Sequence, residues 1–376
     1  MGVSIEIEGW DPAQKYFGGD LITGSVIIEN KSPNSKILGQ DLTIKFTGRA
    51  ESHWKEQRKN VGHYRQYLVT TCDSEVYFEE RITLQNKVEG GVDNREIRPG
   101  RSEYGFSFRF PVGLPQSFKS DHGKVEYWAE VAYPKSWAPD HRIRLDLNIG
   151  AVLDLNMVPR DWARPGKFNM SKTFWWGWGT VDAVLSLPSR IFVPLDDINF
   201  CLEVVNHSHC YLKKIRVYFC QVTTYHSKGS EPFKEGARLS KIKCKPVHPR
   251  NSATIDGSIS VPEVPPTQLG GCALVQPQYG IMIKVIATTF GKIIKSAVLE
   301  GRVPVLIGTV PIGRSVPAPA SASFASSTSS SGLATNRPAT VLRQTIQFSE
   351  RRVVLTPPGD GQDDDEDDRF TNLAGD

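Results

Sequence analysis

The chain has 376 residues, with 45 Lys and Arg against 41 Asp and Glu, a formal net charge of +4. At roughly 100–200 residues per domain, that is too long for one sandwich and fits two domains plus a tail. From Ser315 to the end there are 5 basic and 9 acidic residues, so a basic body (net +8) carries an acidic tail, and no dense Lys/Arg run with interleaved aromatics argues for nucleic acid. Met1–Trp10 has neither a basic n-region nor an apolar h-region, so no signal peptide is expected. No stretch approaches the about 18 apolar residues of a membrane span. Gly2 is not expected to be myristoylated, because position 6 is Glu6 rather than Ser or Thr. Cys72, Cys201, Cys210, Cys220, Cys244 and Cys272 then read as reduced thiols of a cytosolic protein, in which the sequons at Asn30, Asn169 and Asn206 stay unused.

In chain order, alternation with period two dominates. It starts in Asp20–Asn30, is clearest at Tyr104, Phe106, Phe108 and Phe110, and returns at Ile143, Leu145, Leu147 and Ile149. It recurs at Ile198, Phe200, Leu202 and Val204, and at Tyr279, Ile281, Ile283 and Val285. Each run predicts a strand with one face in a core and one in water. Pro99-Gly100, Pro111, Pro115, Pro262 and Pro265-Pro266 punctuate the runs, and no long helical period appears. The expected fold is all-β, two tandem immunoglobulin-like β-sandwich domains with a disordered C-terminal tail. The boundaries expected are 1–156, a linker or interface segment 157–178, 179–313, and a Ser/Pro-rich then acidic tail 314–376. Trp162, Trp175, Trp176 and Trp178 around the join are expected to pack at the domain interface or strand edges.

The halves repeat one plan. Asp20-Leu-Ile-Thr-Gly-Ser-Val-Ile-Ile-Glu-Asn30 matches Asp196-Asp-Ile-Asn-Phe-Cys-Leu-Glu-Val-Val-Asn206, each after an aromatic, Phe17 or Phe192. Leu114-Pro115-Gln-Ser-Phe118 near the end of one half matches Val264-Pro265-Pro266-Thr267 in the other. The first half is longer between these points, which places an insertion around Glu51–Pro99, expected as a charged mobile loop.

These strings resemble a family. Tyr16-Phe-Gly-Gly-Asp20 through Asn30, with Phe46-x-Gly48-Arg49-Ala50 and Trp54, is similar to the first strands of the arrestin fold. Phe106-x-Phe108-x-Phe110-Pro111, Leu114-Pro115-x-Ser117-Phe118 and Gly123-x-Val125-x-Tyr127-Trp128 resemble the end of its N-domain. Leu212-Lys213-Lys214-Ile215, Gln221, Val264-Pro265-Pro266-Thr267 and Pro304-Val305-Leu306-Ile307-Gly308-Thr309-x-Pro311 resemble its C-domain, as in the arrestin-domain-containing proteins or α-arrestins. The resemblance covers residues 1–313. It implies a cytoplasmic adaptor, not an enzyme, that binds cytoplasmic segments of membrane proteins and engages trafficking machinery at the plasma membrane or endosomes. The alternative within the fold is a stable subunit of an endosomal, retromer-like coat. Many members recruit a ubiquitin ligase through PPxY, but this sequence has none, since Pro357-Pro358-Gly359-Asp360 lacks the tyrosine; any ligase is reached indirectly. The paired lysines that read receptor phosphates in visual and β-arrestins are replaced by Ser4-Ile5-Glu6-Ile7-Glu8, whose carboxylates repel phosphate.

Candidate sites are few. Lys213, Lys214, Arg216, Lys241, Lys243 and Lys245, within a longer stretch that includes Lys228, Lys234, Arg238 and Arg250, are expected to face an anionic membrane surface or phosphate; the plainer reading is a solvated strand face. Cys201, His207, His209, Cys210 and Cys220 lack zinc-site spacing, so no metal is expected. No Gly-x-Ser-x-Gly, phosphate loop, His-Glu-x-x-His or glycine fingerprint occurs, so no catalytic residue or cofactor is expected, and a hydrolase is the least favoured reading. In the tail, Asp367 and Phe370 form an acid three residues before an aromatic, as in some adaptin-binding peptides; the plainer reading is a solubilising terminus. Thr345–Thr356 is expected as a strand that adds to the edge of the N-terminal sheet.

Overall fold

The computed structural model describes residues 3–8, 11, 13–30, 37–38, 42–60, 63–86, 96–97, 100–135, 138–174, 179–289, 292–293, 299–313 and 369–372. The first half forms β1 (Val3–Glu8), β2 (Lys15–Phe17), β3 (Leu21–Asn30), β4 (Ile37–Leu38), β5 (Thr43–Asn60) and β6 (His63–Thr83), then β7 (Gln85–Asn86), β8 (Glu96–Ile97), β9 (Gly100–Arg109), β10 (Phe118–Lys119), β11 (Gly123–Lys135) and β12 (Ala138–Gly150). The second forms β13 (Gly166–Thr173), β14 (Thr180–Leu187), β15 (Ile191–Phe192), β16 (Asp197–Asn206), β17 (Tyr211–Tyr225) and β18 (Phe233–Cys244). It continues with β19 (Ser252–Ser260), β20 (Val275–Thr289), β21 (Lys292–Ile293), β22 (Leu299–Ile307) and, far along the chain, β23 (Arg369–Asn372).

Each half is a sandwich. In the first, the sheet β1-β3-β9-β7 faces the sheet β2-β12-β11-β5-β6; in the second, β13-β14-β16-β19 faces β15-β22-β20-β17-β18-β23. The alternation in the sequence dictates which side chains meet between them. Phe106 and Phe108 of β9 turn inward onto Phe46 of β5, with Phe46 and Phe108 stacked at 4.2 Å. Ile198, Phe200, Leu202 and Val204 of β16 pack with Val217 and Phe219 of β17 and Ile281 and Ile283 of β20. Burial of such side chains drives the sandwich together, at about 1.5–3 kcal/mol each.

The duplication extends to individual hydrogen bonds. Asp20 accepts from Phe17 N at 2.8 Å, and Asp196 accepts from Val193 N at 2.8 Å. The Tyr127 hydroxyl donates to the Pro115 carbonyl at 2.7 Å, and the Tyr279 hydroxyl to the Pro265 carbonyl at 2.8 Å. The Ser117 hydroxyl accepts from Ile149 N, and the Thr267 hydroxyl from Ile307 N, both at 2.9 Å. In both halves a short strand joins its sheet in parallel, β2 on β12 and β15 on β22. The proline-rich strings thus play the same part in both domains, tying the loop before the central strand to the strand beside it.

Two expectations need correction. The charged insertion is not a loop through most of its length, because β5 and β6 form one antiparallel ribbon from Thr43↔Thr83 out to Asn60↔His63. Toward its tip the inward positions are Ser52, Trp54 and Thr71, two of them polar, because they meet the second domain. Ser52 donates to the His226 carbonyl at 2.7 Å, Asp73 accepts from Lys228 N at 2.9 Å, and Glu75 accepts from Ala273 N at 3.1 Å. The segment expected as a linker carries β13, which pairs along its whole length with β14 as an edge of the second sandwich. Within the tail segment, Arg369–Asn372 forms β23, paired with β18. Trp162 packs beneath the Arg190 guanidinium, 4.4 Å from the ring centre. Trp175, Trp176 and Trp178, Asp367 and the strand expected at Thr345–Thr356 lie outside the described residues.

Tyr127→Phe and Tyr279→Phe each remove a buried hydroxyl and leave a proline carbonyl without its donor. Each is expected to cost about 1–2 kcal/mol in chemical denaturation of the full chain. Because the two tyrosines sit in separate cores, the double variant is expected to lose the sum of the two.

Candidate functional site

The face of the second domain's larger sheet that points away from its core collects the basic residues. Residues directly opposite one another on paired strands share a face. Opposite Tyr218 lie Lys241 and Met282, opposite Arg216 lie Lys243 and Lys284, and opposite Cys220 lies Arg238. Met282 in turn faces Arg302, and Lys284 faces Glu300. On this one face β17 contributes Lys214 and Arg216, β18 Lys234, Arg238, Lys241 and Lys243, β20 Lys284, and β22 Arg302. Among the described residues of these four strands, Glu300 is the single acid on it. A bulge between Phe219 and Cys220 keeps Arg238 on the same side as Lys241 despite their odd spacing.

The floor beneath these cations is a small apolar cluster of Tyr218, Cys220 and Met282, all buried although they face away from the sandwich core. Aliphatic stems of long basic side chains cover such a floor while their charged ends reach solvent. The Arg238 guanidinium lies 5.2 Å from the Tyr218 ring centre, and Arg216 donates to the Tyr218 hydroxyl at 3.4 Å. Arg302 donates to the Gln278 carbonyl at 3.1 Å. Burial pushes the Cys220 thiol above its ordinary value, against the opposing pull of Arg302 and Arg238, so it is a packed thiol and not a reactive one. Burial likewise raises the Glu300 carboxyl, with Lys284 and Arg238 acting against it.

The equivalent face of the first domain is built differently. There Lys45 meets Glu79 at 2.7 Å, Lys124 meets Glu126 at 2.9 Å and Glu51 at 3.2 Å, and Arg49 also pairs with Glu51. Arg144 lies over the Trp128 ring and pairs with Asp146 at 2.8 Å, and Arg142 reaches Glu130 at 3.6 Å. One architecture therefore carries a neutralised face on one copy and a strongly basic face on the other.

Four of the six basic residues singled out in the sequence, Lys214, Arg216, Lys241 and Lys243, meet on this face. Lys213 falls in the bulge between Leu212 and Lys214, and Lys245 follows the end of β18. Lys228 and Arg250 lie elsewhere, Lys228 bound through its backbone to Asp73 and Arg250 beside His209 at 3.0 Å. Lys284 and Arg302 are the members that local sequence did not reveal. Phe370 belongs to β23, opposite Gly236. The Cys201, His207, His209, Cys210 and Cys220 set does not converge, and among the described residues no three His, Cys, Asp or Glu side chains are placed to hold a metal ion.

A second feature is the seam between the domains, where a cleft of about 410 Å³ is lined by Lys119, Asp121, Gln221, Tyr225 and Glu235, among others. The Tyr225 hydroxyl bridges it, 2.9 Å from Ser120 Oγ and 3.1 Å from Glu235. The two halves are joined again where the connector runs beside the end of β22: Leu153 N donates to the Thr309 hydroxyl at 2.8 Å, and Asn156 accepts from Gly313 N at 2.9 Å. Gly308 has to be glycine here, since a Cβ would come within 2.5 Å of Leu155.

Comparison with known proteins matches both sandwiches. The family model described as Arrestin (or S-antigen), N-terminal domain covers residues 3–156, and its C-terminal domain counterpart covers residues 178–312. The chain belongs to the arrestin family. It is 28% identical to Arrestin domain-containing protein 17 of Caenorhabditis elegans over 315 residues, 80% of this chain and 69% of that one. It is 22% identical to human Arrestin domain-containing protein 1 over 249 residues, 65% of this chain and 53% of that one. With Arrestin domain-containing protein 4 of Mus musculus the match is 26% over 149 residues, 38% of this chain and 34% of that one. The chain thus spans about half or less of these mammalian relatives. Members of the arrestin family act in general as adaptors that bind partner proteins rather than as enzymes, and this chain is an arrestin-like adaptor in that general sense. No helix among the described residues is long and apolar enough to cross a membrane.

Glu300→Gln checks the electrostatics of the basic face. A carboxyl raised in the folded state disfavours folding while it is ionised and ceases to do so as pH falls through its folded value. The variant is therefore expected to melt higher than the wild type at neutral pH, with the difference closing on acidification as Glu300 protonates.

Proposed function

We propose that this arrestin-family chain works at membranes, docking through the basic face of its second domain on an anionic leaflet while it holds cytoplasmic segments of membrane-protein cargo for endocytic or endosomal sorting. The observation that carries this reading is the contrast between two equivalent faces. Ion pairs neutralise the first, with Lys124 and Arg144 each engaging two acids. The second gathers Lys214, Arg216, Lys234, Arg238, Lys241, Lys243, Lys284 and Arg302 around Glu300. Like charges on one sheet repel and destabilise it, so a surface of this composition fits a protein that gains from an external anion. Each cation near an anionic leaflet contributes about 1 kcal/mol. The polarity is general, so phosphate-bearing headgroups and acidic lipids satisfy it alike. In this reading, coupling to a ubiquitin ligase runs through an intermediary, since these 376 residues contain no PPxY.

Co-sedimentation with phosphatidylserine vesicles tests the reading. The triple reversal Lys241→Glu/Lys243→Glu/Lys284→Glu is expected to reduce binding by about a hundredfold or more at low salt. Arg142→Glu, on the neutralised face, is expected to change it by no more than about twofold. Equal binding by the triple variant and the wild type would end the proposal.

A further inference from the structure

The outer edge of β6 is long and unguarded. Among the described residues β6 pairs with β5 alone, so from Leu68 to Val76 no strand lies beyond it. Its counterpart in the second domain, β18, carries β23 on that edge. Folded proteins blunt exposed edges with lysine, proline, bulges or inward charges, because unpaired N–H and C=O groups recruit another strand. β13, an edge of the second domain's smaller sheet, is blunted in this way by Lys167 and Lys172, both exposed. β6 is not. Leu68-Val-Thr-Thr-Cys-Asp-Ser-Glu-Val76 contains no lysine, arginine or proline, and its register on β5 is unbroken from Gln57↔Leu68 to Arg49↔Val76. Its two acids are engaged by the second domain, Asp73 by Lys228 N at 2.9 Å and Glu75 by Ala273 N at 3.1 Å. The opposite face of the strand is uncharged: Leu68, Thr70, Cys72, Ser74 and Val76 are all exposed, Leu68 at 68% and Val76 at 58%.

This stretch is complementary to itself. When two copies of a strand pair antiparallel about a two-fold axis, each residue meets the one equally far on the other side of the axis. With the axis at Cys72, Leu68 meets Val76, so the two exposed large apolar side chains of the stretch cover each other at both ends of the contact. Thr70 meets Ser74, and Cys72 meets its own copy. On the other face Asp73 meets Thr71 and Glu75 meets Val69, so no acid opposes an acid. An axis at Asp73 or Glu75 sets an acid against itself, and an axis at Ser74 sets Asp73 against Glu75; like charges directly opposite destabilise a pair. An axis at Thr71 keeps the acids apart but leaves Leu68 against Ser74.

We propose that the partner of the β6 edge is a second copy of this chain: two β6 strands pair antiparallel about Cys72 and join the two first-domain sheets into one. Main-chain hydrogen bonds close both open edges at once, and the Leu68–Val76 contacts at the two ends fix the register. Such an interface is isologous and closed, so association stops at two. The contact is a single strand on each side, at the small end of interface sizes, and weak, reversible association follows. The inference goes beyond membrane docking and does not rest on it, since the edge belongs to the first domain and the basic face to the second.

The test uses the full chain. Sedimentation velocity in reducing buffer, from about 1 to about 200 μM, is expected to show monomer converting to dimer and to nothing larger. Leu68→Lys and Val76→Glu, each alone, set a charge against an apolar partner and are expected to weaken the dimer by about tenfold or more. Both positions are exposed, so an unchanged melting temperature is expected to accompany the loss. Combined in one chain, the two substitutions bring opposite charges together across the axis and are expected to recover association to within about threefold of the wild type. Within a single chain the two positions lie about 27 Å apart along the strand, too far to pair.

Oxidation by copper phenanthroline reads the register. Cys72 is the exposed cysteine of the six, and its two copies are expected to form a disulfide-linked dimer. In a Cys72→Ser background, Thr70→Cys chains are expected to cross-link to Ser74→Cys chains on mixing, and neither to itself. A chain that stays monomeric throughout the concentration range overturns the proposal, as does equal cross-linking of all these pairs, the mark of random collision. Dimers that persist in both single variants overturn it in favour of another surface.

Discussion

An antiparallel sheet with one face in a core leaves its other face free of packing demands, and this molecule depends on that freedom. Both sandwiches obey the same inward pattern, aromatic and branched side chains from Tyr104 to Phe108 in one and from Ile198 to Val204 in the other. Both use the same hydrogen bonds to hold the loop before the central strand, through Tyr127 and Ser117 or Tyr279 and Thr267. The outward face answers to none of this. In one copy it became a lattice of ion pairs, in the other a basic surface over Tyr218, Cys220 and Met282.

The ribbon of β5 and β6 makes the two copies into one object. Beyond the body of the first sheet, its inner side turns to the second domain, where Trp54 stacks on Phe233 with centroids 6.1 Å apart and Thr71 lies 3.3 Å from the Ser230 hydroxyl. Backbone groups of the second domain's loops find their partners on Asp73 and Glu75. Ser52 and Thr71 are buried and find their partners on the His226 carbonyl and the Ser230 hydroxyl; buried polar groups are stable only when paired, so these contacts fix the register of one domain on the other. The basic face is thereby held in a constant relation to the first domain.

Much of the fold was legible in the sequence, because one-sided burial writes a period of two and duplication writes the same spacing twice. Asp20 and Asp196 mark matching turns, and the proline strings mark matching loops. The ribbon was not legible: beyond Ala50 its buried positions are Ser52, Trp54 and Thr71, where one aromatic among hydroxyls carries no apolar period. The basic face was legible in part. Lys214, Arg216, Lys241 and Lys243 cluster locally, whereas Lys284 and Arg302 join them only through strand pairing, and Lys213 and Lys245 are separated from the face by a bulge and a strand end. Branched residues mark Thr345–Thr356 as a strand in the sequence, a segment outside the described residues. Edge pairing needs only a main chain, so Arg369–Asn372 carries no such signature.

The apolar interior of the first sandwich is not made by the first half of the sequence alone. Tyr225, Leu269, Cys272, Leu274 and Val275, all from the second half, lie buried within it. A gene fragment encoding residues 3–156 would leave hollows where these five side chains belong, and its complement would hold them out to water. Recombination could not shuffle the two modules as independent parts. Loss of structure in one module strips apolar cover from the other, so the two unfold as a coupled pair.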